Sequence, residues 1–421
     1  MKPATLAIIG AGSRGFGYAE YAARHPDLAK VTAVAEPRDE YRRILVERHN
    51  IDPENVFKDW KDLAQAERLA NGAIIATQDD MHVEPTLALA DKGYHIMLEK
   101  PMAPDLEGCR RIAECIEQSG CLFAVGHVLR YTPYTKELKR IIAEGRIGEI
   151  VGIQQLEPVG YWHQAHSFVR GNWSNEGKSS FMLLAKCTHD IDWINYVMGC
   201  RCTAVSSFGS LKHFRKENQP EGASDFCVDC GVEPSCPYSA KRIYARFLDR
   251  GLKGWPLDVL APKVDRESVG SALANGPYGR CVYACDNDVV DHQVVNMHFE
   301  NEGTATLTMM AFTKAAARET HVFGTHGHIK GDGSILEVYD FLTEQTEKID
   351  TSATEQSVAG GHGGGDDGLM ESFLAALASH DQNRILSSCE DTLRTHEVVF
   401  AAEKARLENR VITLDKKNTL P

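Results

Sequence analysis

A glycine-rich turn near the N-terminus has the spacing of a dinucleotide-binding site. Gly10, Gly12 and Gly15 form a G-x-G-x-x-G pattern directly after a short apolar run. Glycines at these positions permit a tight turn, close approach of the backbone to a pyrophosphate and packing of a helix on a strand. A helix beginning near Ser13 and Arg14 would direct its free N–H groups and positive dipole end at the phosphates. The pattern predicts a bound nicotinamide dinucleotide.

An acidic residue further along the chain indicates which dinucleotide is bound. Glu36 lies at the end of the second predicted strand. Its carboxylate can accept hydrogen bonds from the ribose hydroxyls and would repel a 2′-phosphate. Arg38 could instead pair with such a phosphate, or it could stack on the adenine. On balance the sequence favours NAD over NADP.

Lys100 is a candidate acid–base group, because it follows the fifth predicted strand. Open α/β sheets bind their ligands at the carboxyl ends of parallel strands. An ammonium at that edge can hydrogen-bond a substrate hydroxyl and, if its pKa is lowered, take the hydroxyl proton. The alternative is a surface lysine that pairs with Glu99.

Residues 161–173 are rich in aromatic, histidine and arginine side chains, among them Trp162, His163, Arg170 and Trp173. Aromatic faces can cover the C–H face of a pyranose, while His and Arg can bind hydroxyls or an anionic group. The segment therefore predicts a sugar-binding surface. The alternative is a packed loop whose polar groups bind one another.

Five cysteines have spacings that suit a metal site: Cys227, Cys230, Cys236, Cys281 and Cys285. The thiolates of Cys227, Cys230 and Cys236, together with that of Cys281 or Cys285, would suit tetrahedral Zn²⁺. Free thiols and an iron–sulfur cluster are the alternatives. We expect a structural zinc ion with no catalytic role.

The elements that must position these residues fall into two parts. Short β-rich runs alternate with helical stretches over the first ~125 residues, which predicts a doubly wound parallel sheet of the α/β class. Strand-like runs later in the chain predict an antiparallel sheet. We expect a Rossmann domain over residues 1–128 and a substrate-binding and oligomerisation domain over 129–421. The latter would contain an irregular, cysteine-containing insertion at about 200–288 and C-terminal helices at about 367–410.

A glycine-rich loop at residues 360–366 precedes those C-terminal helices. It could bring His362 to the pocket, or it could be only a flexible connection.

Composition narrows the class of protein. The 421 residues are 43% hydrophobic and 25% charged, with a formal net charge of −13. This is ordinary globular composition, and Lys and Arg form no basic patch, so we expect no nucleic-acid partner. No targeting segment or membrane-spanning run is visible, so we expect a cytoplasmic protein with reduced thiols.

Three further motifs carry a family resemblance. They are Ile75-Ala76-Thr77-Gln78 followed by His82, then Glu99-Lys100-Pro101, and then His127-Val128-Leu129-Arg130-Tyr131. With the glycine turn, they resemble the glucose–fructose oxidoreductase and inositol dehydrogenase (Gfo/Idh/MocA) family.

The resemblance implies a Rossmann domain followed by an α/β domain with a large, open, mostly antiparallel sheet. Substrate would lie between that sheet and the nicotinamide, and subunits would associate through the outer face of the sheet as a homodimer or homotetramer. Thr77, His82, Glu99 and Lys100 would then belong to the cofactor site, and His127 and Tyr131 to the substrate site.

The family's second catalytic segment departs from its usual pattern here. His189 matches the family histidine, but Ala185 takes the place of an aspartate four residues earlier, and Lys186 follows it. On a helix predicted over residues 183–198, Lys186 and His189 would share a face. His189 is the expected acid–base group, since the unperturbed pKa of histidine lies near neutrality. A structural histidine is the alternative.

Three functions are compatible with these residues. The first is an NAD-dependent dehydrogenase acting on a secondary hydroxyl of a sugar, sugar derivative or cyclitol, in which Lys100 and His189 handle the hydroxyl proton. The second is a redox-neutral, NAD-dependent glycosidase, as in some relatives of the family, with Lys186 as an additional catalytic base. It would oxidise the sugar transiently, at C3 in the expected case, and could take anionic glycosides such as sulfoquinovosides, with Arg170 binding the anionic group. The third, a non-catalytic NAD-binding regulator, is disfavoured by the density of His, Lys and Arg.

Overall fold

Six parallel strands form the first sheet of the structure, a computed structural model that describes residues 2–261, 263–352 and 363–414. They are β1 (Ala4–Ile9), β2 (Ala29–Ala35), β3 (Val56–Phe57), β4 (Gly72–Ile75), β5 (His95–Leu98) and β6 (Phe123–Val125). Their order across the sheet is β3-β2-β1-β4-β5-β6. The strand order reverses between β1 and β4, and ligands of doubly wound sheets bind at such a switch point. The predicted Rossmann sheet is confirmed. His362 lies outside the described residues.

Helices cover both faces of this sheet, because its strands carry apolar side chains on both faces. Leu6, Ile8 and Ile9 of β1 are buried, so neither face of the strand is available to water. The covering helices are α1 (Ser13–Arg24), α2 (Asp39–His49), α3 (Trp60–Gln65), α4 (Val83–Asp91) and α5 (Leu106–Ser119).

The second sheet has nine strands and is mostly antiparallel, as expected. They are β7 (Ile150–Pro158), β8 (Cys202–Ser210), β9 (His292–Phe299), β10 (Thr304–Met310), β11 (Glu319–Gly324), β12 (Gly327–Gly331), β13 (Ile335–Asp340), β14 (Gln345–Asp350) and β15 (Ile412–Thr413). Their order is β14-β13-β12-β11-β7-β10-β9-β8-β15, and β7 and β10 form its parallel pair. Val295, Met297 and Phe299 of β9 alternate inward, while Asn296 and His298 face outward. Subunit association through the outer face stays a prediction.

Eight α-helices among the described residues lie after β6, and the bounds of two of them correct one prediction. They are α6 (Pro133–Ala143), α7 (Tyr161–His163), α8 (Met182–Ala185), α9 (Thr188–Met198), α10 (Ala240–Asp249), α11 (Arg266–Asn275), α12 (Gly365–Ser379) and α13 (Cys389–Glu408). A π-helical stretch, Gln164–Arg170, continues α7. The helix predicted over residues 183–198 is therefore two helices, because the chain leaves helical geometry at Cys187, the N-cap of α9. Lys186 and His189 do not lie on one continuous helix.

Two segments return to the first sheet from later in the chain. The region predicted to be irregular, about 200–288, begins with strand β8, carries α10 and α11, and reaches α2 where the Tyr41 hydroxyl donates to the Asp258 carbonyl at 3.3 Å. Helix α12 packs Leu369 and Phe373 into the same core as Ile8. The division near residue 128 stays a prediction. No helix among the described residues combines the length and apolar character needed to cross a membrane.

We expect Phe373→Ala to destabilise the fold, because the fully buried Phe373 ring anchors α12 on the first sheet. A Cβ on Gly72 would lie 3.2 Å from this ring, so the space around it is filled. The free energy of unfolding should fall by about 3–5 kcal/mol in chemical denaturation. Leu342→Ala is the control, since Leu342 is 93% exposed. Equal losses in the two variants would contradict this packing.

Candidate active site

A cleft of about 1090 Å³ separates the two sheets and brings many of the predicted site residues together. From the first sheet it is lined by Gly10, Gly12, Ser13, Arg14, Glu36, Arg38, Thr77, Gln78 and Asp79. From the rest of the chain it is lined by Tyr134, Gln155, Glu157, Trp162, His163, His166, Trp173, Lys186, Trp193, Trp255, Tyr278, Arg318 and others.

The glycine turn has the geometry that a bound pyrophosphate requires. Gly10 has a φ of +89°, and a Cβ there would lie 2.6 Å from the Ala76 carbonyl oxygen. A Cβ on Gly15 would lie 1.9 Å from the Gly10 carbonyl oxygen, so α1 could not pack so close with any other residue. A Cβ on Gly12 would cause no clash, because its nearest neighbour, Arg38 Nη2, would lie 3.7 Å away, at ordinary van der Waals distance. These residues fit a dinucleotide at the N-terminus of α1.

A backbone N–H of the glycine turn helps to hold the Glu36 carboxylate in the cleft. Its carboxylate accepts a hydrogen bond from the Ala11 backbone N–H at 2.7 Å and two from the Arg38 side chain at 2.7 and 3.0 Å. Burial opposes ionisation, but the bonds from Arg38 and Ala11 outweigh it and lower the pKa of Glu36. Arg38 also stacks on the Tyr41 ring at 3.9 Å. An ionised carboxylate therefore lies beside the glycine turn, at the end of β2.

Arg14 and Glu99, both predicted to contact the cofactor, bind each other. Arg14 Nε lies 2.7 Å from Glu99 Oε1, and the Tyr18 hydroxyl donates to the same oxygen at 2.5 Å. Arg14 also pairs with Asp366, at the start of α12, at 2.6 Å. Burial would raise the pKa of Glu99, but Arg14, Tyr18 and Lys100 lower it. Arg14 lines the cleft, whereas Glu99 lies buried behind it.

His82 and Thr77 shape the neighbouring loop. The buried His82 ring contacts the Pro101 carbonyl through Nδ1 at 2.6 Å and the Thr77 carbonyl through Nε2 at 3.3 Å. Thr77 lines the cleft, but His82 does not. His82 is thus placed to position the segment that carries Lys100.

Lys100 connects the two halves of the molecule. Its Nζ donates to the backbone carbonyl of Ala185 at 2.6 Å, at the C-terminal end of α8, where a helix leaves carbonyls without intrahelical partners. Burial lowers the pKa of Lys100, while the nearby carboxylates of Asp79 and Glu99 act against that shift. Asp79 lines the cleft and accepts a bond from Ser180 Oγ at 3.2 Å. No motif in the sequence pointed to Asp79.

His189, His127 and Tyr131 lie behind the cleft lining. The His127 and His189 rings are 6.1 Å apart between centroids, and His127 Nε2 lies 3.7 Å from Asp192 Oδ1. Burial lowers the pKa of His127 to about 4, although Asp192 opposes the shift. The Tyr131 hydroxyl bonds to Ser387 Oγ at 2.9 Å. The structure therefore places His127 and Tyr131 in the interior, without contact to the cleft surface.

A charged network that the sequence did not reveal forms the cleft floor. Lys186 Nζ lies 3.2 Å from Glu157 Oε1, and Arg318 Nε lies 2.7 Å from Glu157 Oε2 and 3.0 Å from Asp190 Oδ1. Gln155 donates to Asp190 at 2.5 Å. Burial and the neighbouring Glu157 raise the pKa of Asp190, against the pull of Arg318. Two cations therefore face two carboxyl groups.

Aromatic side chains line the cleft, and the contacting rings of Trp162, His163 and Trp255 form an aromatic wall. Four of the five tryptophans of the chain line it, as do Tyr134 and Tyr278: Trp162, Trp173, Trp193 and Trp255. The Trp162 and Trp255 rings are 5.3 Å apart, and His163 lies 4.9 Å from Trp255. Burial and nearby cations, Lys186 first among them, lower the pKa of His163 well below its usual value.

Arg170, predicted to bind substrate, points away from the cleft. Its Nε donates to the Arg280 carbonyl at 2.7 Å, and its Nη2 donates to the Tyr238 carbonyl at 2.8 Å. It lines a separate small cavity. The π-helical turn that ends at Arg170 sets this direction, and residue types alone did not show it.

The described residues contain no preformed site for the predicted zinc ion. Four of them, Cys227, Cys230, Cys236 and Cys281, line the cavity that holds Arg170, and Cys285 does not. Across residues 2–261, 263–352 and 363–414, no three His, Cys, Asp or Glu side chains converge as a metal-holding group. All twelve cysteines are free thiols.

A Rossmann sheet joined across a cleft to a large mixed sheet is the architecture of a dinucleotide-dependent oxidoreductase. Family models confirm this class: one described as an oxidoreductase family, NAD-binding Rossmann fold, matches residues 4–127. A second, the C-terminal alpha/beta domain of the same family, matches residues 139–414. The chain belongs to the Gfo/Idh/MocA oxidoreductase family, as its motifs indicated.

Named relatives are distant in sequence. The oxidoreductase YteT of Bacillus subtilis (strain 168) is 24% identical, over 78% of this chain and 75% of that protein. The 2,7-anhydro-N-acetylneuraminate hydratase of Escherichia coli (strain K12) is 26% identical, over 49% of this chain and 53% of that protein. The scyllo-inositol 2-dehydrogenase (NAD(+)) of Bacillus subtilis (strain 168) is 27% identical, over 49% and 57%. The last two alignments span just over half of those proteins.

Solved structures share the whole fold. An oxidoreductase domain protein from Kribbella flavida matches with a TM-score of 0.71 at 15% identity, covering 99% of this chain and 100% of that one. The scyllo-inositol dehydrogenase of Lactobacillus casei with bound NAD(H) and scyllo-inositol matches with a TM-score of 0.67 at 17% identity, covering 98% and 99%.

We expect Glu36→Gln to weaken NAD binding, because a neutral amide replaces the ionised acceptor at the ribose position. The loss of one charge-assisted hydrogen bond should raise the Kd for NAD about tenfold in calorimetric titration. Discrimination against NADP should decrease, since repulsion of the 2′-phosphate is removed. Asp39→Asn is the matched control, because Asp39 is an exposed carboxylate paired with Arg42. An NAD affinity equal to that of the control would show that Glu36 does not bind the ribose.

Proposed function

We propose that this oxidoreductase is an NAD-dependent dehydrogenase acting on a secondary hydroxyl of a sugar, sugar derivative or cyclitol. The observation that carries the proposal is the single cleft that joins the glycine turn and Glu36 to the Lys186–Glu157–Arg318 floor and the tryptophan wall. Tryptophan faces suit the C–H face of a sugar ring, and the charged floor offers donors and acceptors for hydroxyls. The NAD- and inositol-bound structural neighbour and the scyllo-inositol dehydrogenase relative support this substrate class.

Lys100 is the residue we assign to the hydroxyl proton. NAD, when bound, supplies the hydride acceptor, and the chain must orient the hydroxyl and move its proton. The lowered pKa of Lys100 leaves more of its amine unprotonated, and so able to accept a proton, than in an ordinary lysine. The Ala185 carbonyl holds Nζ in place but cannot itself take a proton, so the proton must pass to another group. His189 is our candidate for that second acid–base role.

Lys186 is placed to hold a substrate hydroxyl rather than an anion. Glu157 pairs with it at 3.2 Å, and Arg318 is compensated by Glu157 and Asp190. The floor therefore has little surplus positive charge with which to bind an anionic substituent. Arg170, the residue expected to bind such a group, lies outside the cleft. These contacts favour a neutral sugar or cyclitol over a sulfoquinovoside.

We expect Lys100→Met to abolish most sugar oxidation while NAD still binds. Initial rates of NADH formation, followed by absorbance with hexoses, hexosamines and inositols, should fall by about 10²–10⁴-fold for any substrate that the unmodified enzyme oxidises. Lys92→Met is the control, because Lys92 also donates to a backbone carbonyl, that of Ala66, at 2.6 Å, but at the surface. Full oxidation by Lys100→Met, or equal loss in both variants, would remove Lys100 from the mechanism.

A redox-neutral glycosidase is the second candidate, favoured by the position of Lys186 in the cleft beside the carboxylate of Glu157. In that chemistry a sugar carbon, C3 in the expected case, is oxidised transiently. The neighbouring C–H then loses its proton to a base, the aglycone leaves, water adds, and the carbon is reduced again. Lys186 would be the additional base. The hydratase relatives are compatible with chemistry of this kind.

Aryl glycosides distinguish the two candidates. The dehydrogenase should form one NADH for each sugar oxidised and release no phenol. The glycosidase should release phenol with catalytic amounts of NAD and no net NADH. Phenol release that stops when NAD is removed, without NADH accumulation, would replace our first proposal with the second.

A further inference from the structure

A second cavity, separate from the cleft, lies within the segment between β8 and β9. Its volume is about 20 Å³, which is room for one water molecule or one ion. The sulfur-bearing residues around it are Cys227, Cys230, Cys236 and Cys281. They come from two stretches of chain more than forty residues apart in sequence.

Backbone hydrogen bonds hold these two stretches side by side. Phe226 and Arg280 form an antiparallel bridge, and the Cys281 N–H donates to the Asp225 carbonyl at 2.7 Å. In the first stretch, Glu233 N–H donates to the Cys230 carbonyl at 3.2 Å, and Cys236 N–H donates to the Glu233 carbonyl at 3.1 Å. These contacts place the three cysteines of the loop and Cys281 around the same cavity.

Arg170 brings a positive charge into this cavity without a carboxylate partner. Arg170 is only 5% exposed, and two of its side-chain nitrogens donate to backbone carbonyls. Its Nη2 also contacts Cys227 Sγ at 3.6 Å, and its Nη1 has no hydrogen-bond partner among the described residues. Glu233 lines the same cavity, but its carboxylate accepts a bond from Ser239 and lies 3.9 Å from Lys241 Nζ. No acidic side chain among the described residues forms an ion pair with Arg170. A guanidinium is always charged, and burying an uncompensated charge is costly, so negative charge is expected beside it.

We propose that Cys227, Cys230, Cys236 and Cys281 bind one divalent zinc-class ion as thiolates, with Arg170 as the charge partner of the cluster. Four thiolates around a divalent ion keep two negative charges, which a buried guanidinium can balance. The four thiol protons pass to solvent on binding. The thiols do not converge in the described structure, so the ion must draw them together across the cavity.

Cys285 is excluded from this set by its own contacts. Its sulfur donates to the Cys281 carbonyl at 3.3 Å, and the residue does not line the cavity.

The proposed ion would stabilise the aromatic wall of the cleft. The core nearest the cysteines is small, and it packs Cys227 with Tyr244 and Leu257 against Trp162. Arg170 ends the π-helical stretch that follows Trp162 and His163. Small cores of this kind commonly need a metal or a disulfide to be stable. The inference does not depend on which sugar chemistry the cleft performs.

Metal analysis of full-length protein, purified without chelators and with reducing agent present, tests the proposal. We expect about one zinc per chain by mass spectrometry of the metals. Cys230→Ser and Cys281→Ser should each lose most of it, while Cys285→Ser should keep it. Metal-free wild-type protein that is fully folded by circular dichroism, or loss of zinc only in Cys285→Ser, would overturn the ligand set. Iron with acid-labile sulfide would overturn the zinc-class assignment.

Arg170→Met tests the charge argument independently of the cysteine variants. If thiolates surround a metal, removal of the guanidinium should speed zinc release to a chelator relative to the wild-type protein. The Tm is not the readout, because Arg170→Met also leaves the Arg280 and Tyr238 carbonyls without their donor and lowers the Tm in either case. Zinc release at the wild-type rate would contradict the charge argument even if a cysteine variant failed to fold.

Discussion

The hydrogen bond from Lys100 Nζ to the Ala185 carbonyl joins the end of β5 to the end of α8. Glu99 accepts the Lys100 backbone N–H at 3.1 Å, and Arg14 at the start of α1 holds the Glu99 carboxylate. The residue expected to handle the proton and the helix expected to hold the pyrophosphate are thus fixed in one network. A shift of either would be transmitted to the other through buried, directional contacts.

The cleft keeps its charged floor because each ion is compensated locally. Burying the charges of Glu157, Asp190 and Arg318 costs desolvation free energy. The attraction within each pair offsets this cost only where the geometry is good and further hydrogen bonds are made. Gln155 supplies one of these to Asp190. Such a floor presents polar atoms to a ligand while leaving little net charge. This combination matches the many hydroxyls of an uncharged sugar or cyclitol better than a phosphate or sulfonate.

Local motifs made the first sheet predictable. The glycine spacing, Glu36 and the Glu-Lys-Pro element lie within or directly after strands, so their position follows from strand order alone. The floor was missed because it depends on pairing between distant strands. Residue Glu319 pairs with Leu156 in the β7–β11 register, which brings Arg318 next to Glu157, and no local pattern shows that register.

The directions of some side chains also could not be predicted from the sequence. Arg170 and Tyr131 have the residue types of a binding site, but the π-helical stretch and the contact with Ser387 direct them elsewhere. The tryptophans Trp162 and Trp173 are close in sequence and were recognised as a group, whereas Trp255 joins them from the distant segment between α10 and α11.

A crystal structure of the enzyme with NAD and a bound sugar or inositol tests the central claim most directly. We predict a ring hydroxyl within hydrogen-bonding distance of Lys100 Nζ, its carbon facing the nicotinamide, and other hydroxyls on Lys186 and Glu157. A ligand bound in the cleft with Lys100 out of reach of every hydroxyl would contradict the account.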